Sequence, residues 1–375
     1  MALFIFILIL ISLILVHEFG HFVVAKLFGI KVEEFGIFFP PRLFAKKFGE
    51  TVYSFNLLPV GGFVKIFGEQ TDESNPSVEA DPRSFVHKSR PVQAAVIVAG
   101  IVCNILFAWL ILSVGYMVGM QTSRDHAGWG QVQHPQTTIV GVVAGSPAAK
   151  VGLKAEDVVI GIQTGTAQLP LGSDSTGVQA FIVAHQDESM VFSVVRESAC
   201  EDRDPCPTQN FLAKPTEGLT PGHKAVGIEL DDVGVLKLSP PLALAQGGLL
   251  AYHMTLGTAV GLGSFFASVV TGSAHWGDVS GPIGIATVGS SAVHSGFAAT
   301  VFLAALISIN LAIINLVPIP GLDGGRLLFI IIEAILRRPI SEKTSTRFAV
   351  VGFSLLALLM LVVSFHDILK LIHGV

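Results

Sequence analysis

No charged side chain occurs from Ala2 to Val16, and the apolar character continues through Phe19, Phe22, Val23, Val24, Leu27 and Phe28. A helix rising ~1.5 Å per residue over that stretch is long enough to cross a hydrocarbon core ~30 Å thick. A cluster of polar, potentially metal-binding residues nevertheless stands inside the run: His17, Glu18 and His21. Ionisable side chains placed against lipid are costly unless they face a protein interior and are paired or ligated, so they mark a functional cluster before anything else is known. A cleaved leader is the simpler reading of an N-terminal apolar run, but no Lys or Arg precedes this one and no small-x-small site follows it.

Three further apolar runs extend from Val92 to Met120, from Phe297 to Pro320 and from Phe348 to Leu371. They account for a chain that is 51% hydrophobic and only 14% charged. That balance excludes disorder, and a net charge of -5 excludes a nucleic-acid binder held by bulk positive charge. The expected fold is an α-helical bundle of four transmembrane helices with membrane lipid around it. Ala245 to Val270 is also apolar and Gly-rich, and it could be a fifth span.

Residues 121–237 read differently. Short apolar strands such as Thr138 to Val143 and Met190 to Val195 alternate with Gly, Pro, Ser and Asp turns, as in a small β-rich domain. Gly145 to Val159 reads as turn, short helix, turn and strand. Cys200 and Cys206 flank an acidic loop here, and a disulfide between them is permitted in an oxidising compartment, with two free thiols as the alternative. Nine basic residues lie between the first two spans (Lys26, Lys31, Arg42, Lys46, Lys47, Lys65, Arg83, Lys88, Arg90). Arg326, Arg337, Arg338, Lys343 and Arg347 lie between the last two. The positive-inside rule makes both segments cytoplasmic and the 121–296 region external.

His17-Glu18-Phe19-Gly20-His21 is a His-Glu-x-x-His motif. Residues four apart share a helix face, so both imidazoles can take positions on one tetrahedral Zn2+. Glu18 is placed to take a proton from an attacking water and return it to a leaving amine. A catalytic zinc needs a third protein ligand. Past the third span the sequence is Asn315-Leu316-Val317-Pro318-Ile319-Pro320-Gly321-Leu322-Asp323-Gly324-Gly325-Arg326. The prolines and glycines unwind the backbone there, which can aim Asp323 inward; a turn-capping role for Asp323 is the alternative. His17 lies toward the far end of the first span and Asp323 just past the third, so four spans put both on the cytoplasmic side. A fifth span at Ala245 to Val270 would separate them, and that segment is therefore expected to lie along the outer face or to pack on the bundle without crossing. The isolated His253, His275, His294 and His366 have no spaced partner and read as surface or interfacial residues.

These motifs resemble the site-2 protease family of intramembrane zinc metalloproteases, in particular the bacterial regulators of sigma-E. The resemblance rests on the His-Glu-x-x-His motif, the Asn315 to Arg326 run, the stretch Tyr53 to Lys65 and a single PDZ-like insert. It implies zinc held by His17, His21 and Asp323, Glu18 as catalytic acid/base and Asn315 on the substrate backbone. It further implies a membrane-associated β-hairpin loop over about 31–69, in which Asn56, Leu57 and Leu58 contact the substrate. The implied organisation is 1–120 with two spans, 121–237 as a periplasmic PDZ-like domain, 238–296 as an outer-face amphipathic linker and 297–375 with the last two spans. The implied substrate is a transmembrane protein, an anti-sigma factor or a remnant signal peptide, cut in the bacterial inner membrane. A PDZ-containing scaffold with a structural metal is the rival reading. Two departures stand out: the chain has one PDZ-like module where enteric members carry two, and Phe38 and Phe39 occupy a place where relatives tend to have a glycine before proline.

Overall fold

In the computed structural model the apolar runs are helices and the segments between them carry the strands. Residues 1–69, 81–196, 200, 206–220, 222–273, 281–338, 340 and 342–373 are described. The elements are, in order, α1 (Ala2–Leu27), β1 (Val32–Phe48), β2 (Thr51–Ile66), α2 (Arg90–Val118), β3 (Met120–Ser123), β4 (Gln133–Val142), α3 (Pro147–Val151) and β5 (Val158–Gln163). There follow α4 (Ser175–Ala184), β6 (Met190–Val195), β7 (Thr208–Ala213), β8 (Thr216–Thr220), β9 (His223–Ala225) and β10 (Ile228–Leu236). The chain closes with α5 (Pro240–Thr271), α6 (Pro282–His294), α7 (Phe297–Leu316), α8 (Asp323–Leu336) and α9 (Glu342–His373). His275 lies outside the described residues. Two compact units divide the chain: Met1–Ser113 with Gly247–Val375, and Val114–Gln246.

In the first unit, α1 and α2 pack antiparallel with almost no space between them. A Cβ on Gly20 would stand 2.5 Å from the Ala99 carbonyl oxygen, so only glycine permits this approach. Further along the same face His21 meets Val96 and His17 meets Asn104. Below the helices, Ala25, Ile30, Val32, Ile66, Phe85, Val96, Ile97 and Ile330 form a buried apolar cluster that joins α1, β1, β2, α2 and α8. Two ion pairs hold α8 from outside, Arg326 with Glu69 and Arg90 Nη1 with Glu333 Oε2 at 2.7 Å.

β1 and β2 form a two-stranded antiparallel sheet turned at Gly49-Glu50, but each strand is bent and pairs twice. Gly36 is in register with both Phe63 and Ser54, and Phe55 with both Ile37 and Phe44. Four pairing segments therefore lie side by side: 44–48, 51–55, 34–37 and 62–66. The bends fall at Pro40-Pro41 and around Pro59 and Gly61. Phe38 enters the first bend with φ 68°, the left-handed region in which an aromatic residue is a true outlier.

Four described helices are long and apolar enough to cross a membrane: α1, α2, α7 and the Pro240–Val269 part of α5. The run expected as a fourth span is also helical, since α9 has no charged residue between Arg347 and His366. The 238–296 region consists mainly of α5 and α6. α5 is almost wholly exposed, showing Leu249, Tyr252, Leu256, Val260 and Phe266. Its Thr255, Ser264 and Ser268 hydroxyls bond back to carbonyls of their own helix, which suits an apolar environment. The α6 N-terminus is held by buried Asp367 of α9, whose carboxylate accepts the Gly281 and Gly284 amides at 3.1 and 2.8 Å.

The second unit is built on a sheet in the order β3-β10-β4-β5-β6-β7. Alternate residues of β6 (Met190, Phe192, Val194) join Ile139, Ile162, Val178 and Ile182 in its core. Ser146 caps α3 by accepting the Ala149 amide, and Gly152 ends it with φ 91°. Fully buried Asp157 accepts from Lys154 N and from Arg196 Nε and Nη2 at 2.9, 2.6 and 2.7 Å, and so ties the turn before β5 to the end of β6. The hydrogen bond to Asp157 raises the pKa of the Arg196 guanidinium. Cys200 and Cys206 are joined as a disulfide.

Candidate metal centre

His17 and His21 are buried on the α1 face that meets α2, and Asp323 arrives from the first residue of α8. The turn that delivers it is Val317 to Leu322, where Gly321 has φ 99°. A Cβ on Gly324 would meet the Leu316 and Val317 carbonyl oxygens at 2.3 Å, and one on Gly325 would meet that of Ile319 at 2.4 Å. Both glycines are required for α8 to start against the end of α7. Asp323 Oδ2 then lies 3.0 Å from His17 Nε2 and 3.2 Å from His21 Nε2, and the two Nε2 atoms are 3.2 Å apart.

Those three atoms fit one ion. Ligand atoms ~2.0–2.1 Å from a tetrahedral zinc are separated from each other by about 3.3 Å. The one Asp323 oxygen that faces the imidazoles is buried and has no hydrogen-bond donor of suitable geometry among the described residues. Two imidazole lone pairs and a carboxylate oxygen converging at this distance repel one another unless a cation stands between them. No other group of three or more His, Cys, Asp or Glu with this convergence occurs among the described residues.

The surroundings are polar on one side and tightly packed on the other. Asn315, in the last turn of α7, brings Nδ2 to 3.4 Å from His17 Nε2. Glu18 is half-buried, within electrostatic reach of His17, His21 and Asp323. Its Cγ is 3.8 Å from the position a Cβ on Gly62 would occupy, so β2 runs alongside it. The structure thus gathers His17, Glu18, His21, Asn315 and Asp323. Leu57 and Leu58 remain on the ribbon, half exposed. Asn56 is buried, and its amide donates to the Ile37 and Phe38 carbonyls at 3.3 and 3.0 Å, so it braces the bend of β1.

Sequence reasoning missed the α2 side of the centre. Gly100 faces both histidines: a Cβ there would stand 2.5 Å from His21 Nε2 and 2.8 Å from His17 Cε1. Val96 O is 2.8 Å from His21 Nδ1, and Asn104 Nδ2 is 3.3 Å from His17 Nδ1. The spacing of Val96, Gly100 and Asn104 at four residues was readable, but only the partner helix gives it meaning.

Residues 5–359 match peptidase family M50. The chain belongs to this family. Among its relatives, one from Clostridium perfringens is 32% identical over 366 residues, covering 96% of each chain. A second, from Clostridium acetobutylicum, is 29% identical over 363 residues, 95% of this chain and 94% of the relative. RasP of Geobacillus kaustophilus is 29% identical over 436 residues, 96% of each. All three carry zinc metalloprotease names. This M50 peptidase is accordingly a zinc metalloprotease of the site-2 protease kind, a multi-pass membrane protein that works inside the membrane.

Proposed function

We propose that His17, His21 and Asp323 hold the zinc and that Glu18 is the general base, in an endopeptidase that cuts transmembrane segments of other membrane proteins. The observation that carries this reading is the convergence of the three ligand atoms beside Glu18. When bound, zinc polarises the scissile carbonyl and eases deprotonation of the attacking water. Glu18 accepts that proton and delivers it to the leaving amine. Asn315 points a donor into the same space and binds a substrate carbonyl. The 62–66 segment of β2, beside Glu18, offers backbone groups to a substrate stretch that has lost its helical bonds. Leu57 and Leu58 contact the substrate's apolar side chains. Asn56, with its amide committed to β1, serves the shape of the ribbon and not the substrate directly.

A topological argument supports cleavage near the cytoplasmic side. Phe6, near the start of α1, packs on Gly289 of α6 just ahead of α7, while His17 meets Asn315 at the end of α7. α1 and α7 therefore run the same way, and α2 runs back. An even number of crossings must separate α2 from α7. α6 has 13 residues, about 20 Å at ~1.5 Å per residue, too short to cross. α5 thus lies on the side where it began, and α1, α2, α7 and α9 are the spans.

By this reading the chain between α2 and α5 is external. Its Cys200–Cys206 bond suits an oxidising periplasm, and its strand, capped short helix and following strand suit a PDZ-like domain that binds exposed chain ends. The substrate class is an anti-sigma factor whose outer domain has been trimmed, with remnant signal peptides second. Purified protein in detergent, with and without chelator, is to be incubated with a model transmembrane substrate beside Glu18→Gln. Zinc retention with cleavage reduced at least ~100-fold in the variant is expected. Equal cleavage in both would refute the role of Glu18, and bound zinc with no cleavage in either would favour a scaffold with a structural metal.

A further inference from the structure

Three residues spaced four apart on α2 face the two histidines from behind, and each meets a different need. Val96 offers a carbonyl oxygen to His21 Nδ1. A carbonyl only accepts, so His21 carries its proton on Nδ1 and turns the Nε2 lone pair toward Asp323. Gly100 supplies the clearance that lets both rings approach the helix backbone.

Asn104 is the third. It is fully buried, and its backbone carbonyl accepts from the equally buried Ser308 Oγ at 2.8 Å, which fixes this point of α2 against α7. Its side-chain nitrogen faces His17 Nδ1, while its Oδ1 is buried with no partner among the described residues. His17 turns Nε2 toward Asp323, so a neutral, ligating ring carries its proton on Nδ1 and needs an acceptor there. The two ends of a carboxamide have the same shape and exchange by a half-turn. With the exchange, Oδ1 accepts the Nδ1 proton, and Nδ2 takes the position in which the oxygen had no partner.

We propose that Asn104 is a positioning residue which, with its oxygen toward His17, fixes the tautomer and ring direction of that histidine for the metal. α2 then serves both imidazoles in the same way, through a backbone acceptor for one and a side-chain acceptor for the other. The inference rests on the zinc reading above, and the test separates the two.

Zinc affinity of the purified full-length protein is measured by competition with a chelator of known affinity for the parent, Asn104→Asp, Asn104→Leu and Asn104→Ala. Thermal unfolding of each metal-free protein is recorded alongside. Asn104→Leu has the same number and branching of side-chain heavy atoms but no acceptor, and its zinc affinity is expected to fall about 10–100-fold. Asn104→Asp keeps the acceptor and is expected to bind at least as tightly as the parent. If Asn104→Leu does not accumulate, Asn104→Ala takes its place in the comparison. Parent-like affinity without the acceptor, or an Asp variant as weak as the Leu or Ala variant, overturns the proposal. A parent that binds no zinc overturns the metal reading instead.

Discussion

Gly100 shows how little room the centre leaves. Its missing Cβ would overlap atoms of both His17 and His21, and neither ring can retreat, since each is held at Nδ1 from α2 and faces Asp323 at Nε2. Gly100→Ala is therefore expected to cost the protein its zinc and at least ~100-fold in cleavage while leaving α2 helical, since alanine favours helix over glycine by about 1 kcal/mol. Metal content and circular dichroism measured on one preparation check this. A variant that keeps full zinc would show that α1 and α2 can separate. The residues that announce themselves in the sequence are those whose chemistry is unusual for their place: His17, Glu18 and His21 in an apolar run, Asp323 after a Pro-Gly break. Gly100 and Asn104 are unremarkable in a transmembrane helix, and their meaning arises only from α1 lying against that face.

At the scale of elements, run length and absence of charge located the helices, because segments that cross lipid need both, and a sequence displays them directly. The strands at Thr138 to Val143 and Met190 to Val195 were readable for a different reason, as short apolar stretches between turn residues. The ribbon was harder. Its Pro59 to Gly62 bend is visible, but Tyr53 to Lys65 pairs with residues upstream, and Phe38-Phe39-Pro40-Pro41 hides the alternation of that partner. In the second unit the tie between elements is Asp157, with no exposed surface, bonded to Arg196 across the end of β6. Asp157→Ala leaves Lys154 N and Arg196 Nε without their acceptor, while Arg196 Nη2 keeps only the Gly152 carbonyl at 3.0 Å. The expected loss is about 3 kcal/mol in the stability of this unit, measured by limited proteolysis of the full chain across 114–246 in denaturant. Proteolysis at the parent's midpoint would show that the pair is replaceable by water.

For the molecule as a whole, the decisive question is the side on which α5 ends. A Ser273→Cys variant, treated in intact cells opened only at the outer membrane, is expected to react with a membrane-impermeant maleimide without permeabilisation. Protection that disappears on permeabilisation would place that end in the cytoplasm and make α5 a crossing helix.

The distance in sequence between the two halves of the centre has its own outcome during synthesis. His21 and Asp323 are separated by 323 − 21 = 302 positions. At about 5–20 residues per second, a ribosome takes on the order of 15–60 s to travel between them. Throughout that interval the membrane holds a nascent chain with the proposed base and the two imidazoles but without the carboxylate proposed to complete the set. By the proposed site, a newly made copy is expected to enter a bilayer full of neighbouring helices while still unable to cut them, and to gain that ability only after the Val114–Gln246 unit has been made.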